Sequence, residues 1–163
     1  MERQDSAGPL QVLLIEDNRG DVLLLQEAIR ATGSGHTLHH VADGEAALRF
    51  LSRSGEHECA IEPDLILLDL NLPLLDGRQL LAVIKRHPQW CHIPVVVLSG
   101  SDSQIDQLAT YKMHATGYVT KPADLDEFHL IASSLDQLWR SILSGRSGRP
   151  LPMPQWAAWP WSR

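Results

Sequence analysis

The sequence predicts an α/β fold, a doubly wound five-stranded parallel sheet in the order 2-1-3-4-5. Three observations predict it. Strand-like and helix-like patterns alternate five times with short links, and such alternation gives a parallel sheet with helices on both faces. The runs Leu13-Leu14-Ile15, Leu65-Ile66-Leu67-Leu68 and Val95-Val96-Val97-Leu98 are continuously aliphatic, as strands buried on both faces are. Each run stops at a polar group, Glu16-Asp17, Asp69 and Ser99 in turn. In open α/β sheets that carboxyl edge is where ligand sites form. Five repeats are too few for a closed eight-stranded barrel. In the order 2-1-3-4-5 the carboxyl ends of strands one, three and four are neighbours. Asp17, Asp69 and Ser99 therefore converge although they lie far apart in the chain.

The first strand covers about 11–16. The first helix, about 19–32, carries Leu23, Leu24, Leu25, Ala28 and Ile29 and stops at Gly33, the residue type that ends helices most easily. The second strand, about 37–42, is read from Leu38 and Val41, and the second helix, about 44–53, from Ala46, Ala47, Leu48 and Leu51. A loop with Gly55 and Pro63 leads to the third strand, 64–69. Asp76 caps a third helix over 77–87, which Pro88 ends. The fourth strand is 94–98, the fourth helix about 102–113 and the short fifth strand 117–120. Asp124 and Glu127 have the spacing of a capping box for a fifth helix over about 124–143. A domain over 10–143 thus follows an N-terminal tail of 1–9. Residues 144–163 are rich in Pro and Trp (Trp156, Trp159, Trp161) and have no periodicity. That composition reads as a mobile tail, although exposed tryptophans also suit docking on a partner.

Composition narrows the function classes. With 44% hydrophobic residues among 163, the chain can fill the core of one domain. A net charge of −6 argues against a nucleic-acid groove. No apolar run approaches the roughly 20 residues a membrane span needs, and the polar start Met1-Glu2-Arg3-Gln4-Asp5-Ser6 lacks a signal-peptide core. A cytoplasmic protein is expected. Cys59 and Cys91 have no CxxC spacing and read as reduced thiols. The eight histidines lack zinc-site spacing, and neighbours such as His39 and His40 point to opposite faces of a strand.

Glu16-Asp17, Asp69, the turn Asn71-Leu72-Pro73-Leu74-Leu75-Asp76-Gly77, Ser99 and Lys121-Pro122 occur in that order, each at the end of its strand. Together they resemble the receiver domain of two-component response regulators, over about residues 10–143, with its flavodoxin-like fold. The resemblance implies that Asp69 is the phosphoacceptor. It implies that Glu16, Asp17, Asp69 and the backbone carbonyl of Asn71 serve Mg²⁺, and that Lys121 and Ser99 hold phosphoryl oxygens. The chemistry is sound without the family name: a carboxylate can form an acyl phosphate, and a divalent cation cancels the repulsion between two anions. Many receivers carry two aspartates where this chain has Glu16-Asp17; glutamate is one methylene longer.

The resemblance further implies a switch in which Ser99 moves toward the phosphoryl group and Tyr118 turns inward. It also implies a cis bond before Pro122. Phe128, Ile131, Leu135, Leu138 and Ile142 form a helical seam, which Leu125, Leu130, Trp139 and Leu143 widen. One apolar stripe must face the sheet, and the excess reads either as a homodimer face on the fifth helix or as an ordinary wide core stripe. The long last helix and the segment Asp17-Asn18-Arg19-Gly20-Asp21 are similar to single-domain regulators paired with phytochrome-type histidine kinases. The expected function is a stand-alone phosphoacceptor served by such a kinase, signalling through the face of helix four, strand five and helix five. It is not expected to be an enzyme beyond assisting its own phosphorylation and dephosphorylation. One rival is a pseudo-receiver that binds partners constitutively. The other is an aspartyl-phosphate hydrolase of the haloacid dehalogenase type, which would need an aspartate where Asn71 stands.

Overall fold

Strands form where the aliphatic runs lie. The computed structural model describes residues 8–100 and 104–145. Its elements are β1 (Gln11–Ile15), α1 (Arg19–Thr32), β2 (Thr37–Val41), α2 (Gly44–Ser52), β3 (Leu65–Asp69), α3 (Gly77–Arg86), β4 (Val95–Ser99), α4 (Gln104–Lys112), β5 (Gly117–Thr120) and α5 (Leu125–Gly145), with a 3₁₀ turn at Gly55–His57 that the sequence reading did not foresee. Of the expected tails, 1–9 and 144–163, residues 1–7 and 146–163 lie outside the described residues.

The sheet is five-stranded in the order β2-β1-β3-β4-β5. All four pairings are parallel, with Val12 opposite Leu65, Ile66 opposite Val95 and Ser99 opposite Thr120. Side chains alternate across the pleat, so each strand feeds two cores. Val12, Leu14, Leu65, Leu67, Val96, Leu98 and Val119 pack under α1 and α5. Leu13, Ile15, Ile66, Leu68, Val95, Val97 and Tyr118 pack under α2 and α3. β3 and β4 are buried at every position.

Local chemistry sets the helix ends. Asn18 caps α1 by accepting the Asp21 N–H, and Gly33 closes that helix in the left-handed region at φ 64. Asp43 accepts the Ala46 N–H at the start of α2. Asp76 and Gln79 form a reciprocal capping box on α3. At α5, Asp124 accepts the Glu127 N–H at 3.0 Å, while the Glu127 carboxylate accepts the Ala123 N–H, one residue earlier than a strict box. No helix among the described residues is long and apolar enough to cross a membrane.

Two expectations are corrected here. The Lys121–Pro122 peptide is trans, since no described peptide bond is cis. Trans is the intrinsic preference of an X–Pro bond by about 0.5–1 kcal/mol, and Lys121 reaches the site with it. The second concerns the dimer face. Phe128, Ile131, Leu135 and Leu138 are at most 5% exposed and belong to the core beneath α5. Trp139 packs half-buried against the same cluster, and the side chain of Ile142 is outside the described set. The stripe is wide because α5 and α1 together cover one whole face of the sheet. Among the described side chains, the exposed leucines of α5 are Leu125 and Leu130.

Candidate functional site

The acids meet at the carboxyl edge because three adjacent strands end there. Glu16 extends the β1–β2 pairing by one bond, its N–H donating to Val41 O at 3.1 Å. Asp69 ends β3, Ser99 ends β4, and Lys121 follows β5, its N–H donating to Ser99 O. Carboxylate oxygens of Glu16, Asp17 and Asp69 lie within 4.8 Å of one another. Glu16 and Asp69 are almost wholly buried, whereas Asp17 is exposed.

Lys121 closes the cluster. Its Nζ is 2.9 Å from Glu16 Oε2, 3.3 Å from Asp69 Oδ2 and 2.8 Å from Asp21 Oδ2. The second oxygens of Glu16 and Asp69 are tied to the backbone: Glu16 Oε1 accepts the Asn18 N–H at 2.9 Å, and Asp69 Oδ1 accepts the Asn71 N–H at 3.0 Å. Burial pushes the Glu16 carboxyl up to about 7; the bonds from Lys121 and Asn18 pull it down, and the Asp69 charge adds to the rise. Burial alone would lower the Lys121 pKa. Its bonds to Asp21 and Glu16, with the charges of Glu16 and Asp69, outweigh that, and the net shift is upward.

The wall of the site is set by glycine. A Cβ on Gly77 would lie 2.5 Å from Asp69 O and from Leu70 Cα, contacts no real side chain makes. The start of α3 therefore packs directly on the strand end that carries Asp69, and Gly77 N–H donates to Leu70 O at 3.0 Å. Ser99 and Tyr118 are both buried. Tyr118 already occupies an inward seat, in the core cluster under α2 and α3.

Two neighbours escaped the sequence reading as site residues. Asp21 lies one turn into α1, and nothing in the local pattern announces that it meets Lys121. The segment Asp17-Asn18-Arg19-Gly20-Asp21 stands out in the sequence only as a resemblance. His40 on β2 bonds Glu16 O through Nε2 at 2.8 Å. A carbonyl only accepts, so Nε2 carries the hydrogen.

The donor set fits a hard divalent cation. All three side-chain donors are carboxylate oxygens, the ligand type of Mg²⁺, Ca²⁺ and Mn²⁺. Oxygens sharing one octahedral ion at ~2.1 Å lie about 3.0 Å apart when adjacent and about 4.2 Å apart when opposite, so the three oxygens would close on one another to hold an ion. No other group of three or more His, Cys, Asp or Glu among the described residues has metal-site geometry. The two cysteines are free and exposed.

The response regulator receiver domain model matches residues 12–133. The chain belongs to that family. It is 41% identical over 135 residues to response regulator Rcp1 of Synechocystis sp., covering 83% of this chain and 92% of Rcp1. It is 33% identical to the probable methanogenesis regulatory protein FilR2 of Methanothrix harundinacea, over 83% of this chain and 86% of that one. Among solved structures, the phosphorylated cyanobacterial phytochrome response regulator RcpA matches with a TM-score of 0.75 at 40% identity, over 90% of this chain and 100% of RcpA. The Mn²⁺-bound form of Rcp1 matches with a TM-score of 0.73 at 39% identity, over 89% and 100%.

Proposed function

We propose that this chain accepts a phosphoryl group on Asp69 from a phosphohistidine of a histidine kinase, with Mg²⁺ as the metal. One observation carries the proposal: Lys121 Nζ stands 3.3 Å from Asp69 Oδ2 beside a triad of carboxylates. Glu16, Asp17, Asp69 and the Asn71 backbone carbonyl would hold the ion, which supplies positive charge to screen the attack of one anion on another. Asp69 Oδ2 attacks phosphorus, the P–N bond to the donor imidazole breaks, and its electron pair stays on the ring nitrogen. Asn71 N–H fixes Oδ1 during the attack. Lys121 takes a phosphoryl oxygen as a point charge, and the Ser99 hydroxyl takes another. Orientation does most of this work, because a loose phosphoryl transition state needs little covalent help.

The output is a shift between two packings of the edge. Ser99 draws toward the new phosphoryl group, whose roughly −1.5 to −2 charge is far from neutral. The inward seat of Tyr118, already formed, gains population as it does so. The face of α4, β5 and α5 then carries the signal to a partner. A phytochrome-type kinase is the donor class supported by the likeness to RcpA and to the bacteriophytochrome response regulator AtBRR, which matches with a TM-score of 0.66 at 30% identity. A self-association surface on α5 would close over Leu125 and Leu130, since the core stripe is buried.

The test is acid-labile phosphate. Wild-type protein with Mg²⁺ and acetyl phosphate, or with a phosphorylated phytochrome-type kinase, takes up one phosphate, and Asp69→Asn takes up none. Persistent labelling of Asp69→Asn sinks the assignment.

A further inference from the structure

We propose that Asp21 is a positioning residue for Lys121, holding its ammonium at the site and competing with the phosphoryl group for it. The proposal deepens the phosphoacceptor reading and rests on it. An ammonium has three N–H donors, and Lys121 meets three carboxylates: Asp21 at 2.8 Å, Glu16 at 2.9 Å and Asp69 at 3.3 Å. The shortest of these contacts is to the acid outside the metal triad. Asp21 is also the member whose place is fixed independently. Its N–H donates to the Asn18 cap at 3.2 Å in the first turn of α1, so its carboxylate projects from a helix and not from a loop.

The consequence is a division of labour among the acids. When Glu16 and Asp69 turn their oxygens to a cation, Lys121 loses two of its three partners. Asp21 is the one that remains, and it keeps the long lysine side chain ordered beside Asp69 instead of free in solvent. The same contact opposes transfer of the ammonium onto a phosphoryl oxygen, because the two anions compete for one cation. Asp21 thus lowers the affinity of the site for the phosphoryl group while raising its affinity for the metal: without it, Lys121 leans wholly on Glu16 and Asp69 and contests the ion for them.

Opposite signs on two affinities are a signature that loss of structure does not produce. The experiment compares wild type, Asp21→Asn, Asp21→Glu and Glu45→Gln by calorimetric titration. Glu45→Gln removes a charge from an exposed first-turn position of α2, one without a contact to Lys121 among the described residues. Mg²⁺ is titrated alone, and beryllium fluoride, a phosphoryl mimic, is titrated at saturating Mg²⁺. In Asp21→Asn the mimic binds tighter by roughly threefold or more, the effect of one unit charge several ångströms away in a water-like dielectric, and Mg²⁺ binds more weakly. Asp21→Glu restores both toward wild type, and Glu45→Gln moves neither comparably. If Asp21→Asn binds the mimic no tighter, or Mg²⁺ no more weakly, Asp21 is only an acid at a helix start and the proposal is overturned. A wild-type protein that neither binds the mimic nor labels on Asp69 overturns the phosphoacceptor reading instead. The Mg²⁺ titration still decides the role of Asp21 in that case.

Discussion

Leu74 combines two features that a leucine seldom shows, in the loop between Asp69 and α3. Its φ is 66, in the left-handed region, and its side chain is 82% exposed. For an L-residue that conformation costs about 1–2 kcal/mol, and so exposed a side chain returns little by burial. Leu74→Gly removes the strain but adds freedom to the unfolded chain, worth about 0.5–1 kcal/mol the other way. The expected net is a gain of about 0.5–1 kcal/mol, or roughly 1–4 °C in Tm for a domain of this size. A Tm that stays or falls would mean that the loop stores no strain at Leu74. The neighbouring signal Asn71-Leu72-Pro73-Leu74-Leu75-Asp76-Gly77 was legible as a turn, and Asp76 as a cap. The sign of φ at Leu74 was not, because no glycine or asparagine marks it. The acids and Lys121 were legible for a simple reason: each stands just at or past the end of a strand, so its place at the sheet edge needs only the strand assignment. Asp21 was not, because its partner stands on the far side of the sheet sequence, after β5. The bond before Pro122 shows the limit of resemblance, since the sequence permits either isomer and the chain takes the commoner one.

At the scale of elements, the helices with polar caps were the easiest to place. α1 begins after Asn18 and stops at Gly33, and the Pro88 stop on α3 falls two residues beyond its last turn. The short 3₁₀ turn at Gly55–His57 escaped notice because a single turn carries no periodicity. α5 is the instructive case. Its apolar content is larger than a narrow stripe needs, and periodicity alone does not say which rows face the sheet. The structure settles it: Leu135 is buried at 1% exposure while Leu130 is 59% exposed. Leu135→Ala should therefore lower unfolding free energy by about 2–5 kcal/mol, the cost of a cavity in a packed core. Leu130→Ala should change it by no more than about 0.5 kcal/mol. Urea titration of both variants measures the contrast. Comparable losses would mean that the helix is rotated and that Leu130 belongs to the core.

For the whole molecule, the topology decides what the sheet edge must tolerate. The strand order was legible because right-handed β-α units with short links leave few alternatives, and the doubly wound order brings β1 and β3 side by side. What it creates is an end of the molecule where Glu16, Asp21 and Asp69 meet the ammonium of Lys121, with Asp17 beside them. Two things can remove part of that negative charge. Below pH about 7 a proton on Glu16 does this. Its carboxyl is raised from 4.5 to about 7, chiefly by burial, so between those values the folded chain holds a proton that the unfolded chain has released. That contribution to stability is complete below 4.5 and is lost as pH rises through 7. A divalent cation reverses the dependence. It requires the deprotonated acids, so its affinity falls by up to about tenfold for each pH unit below 7, and at about 100 times its dissociation constant it adds about 2.7 kcal/mol. The expected outcome is that Mg²⁺ raises Tm clearly at pH 8 and much less at pH 5.5. The rise at pH 8 should shrink in Asp17→Asn, which removes a proposed ligand that is exposed and contributes little to packing. Differential scanning calorimetry of the two proteins, with Mg²⁺ and with chelator at each pH, makes the comparison. An Mg²⁺ effect that is the same at both pH values would separate Glu16 from the metal, and one that is the same in Asp17→Asn would remove Asp17 from it.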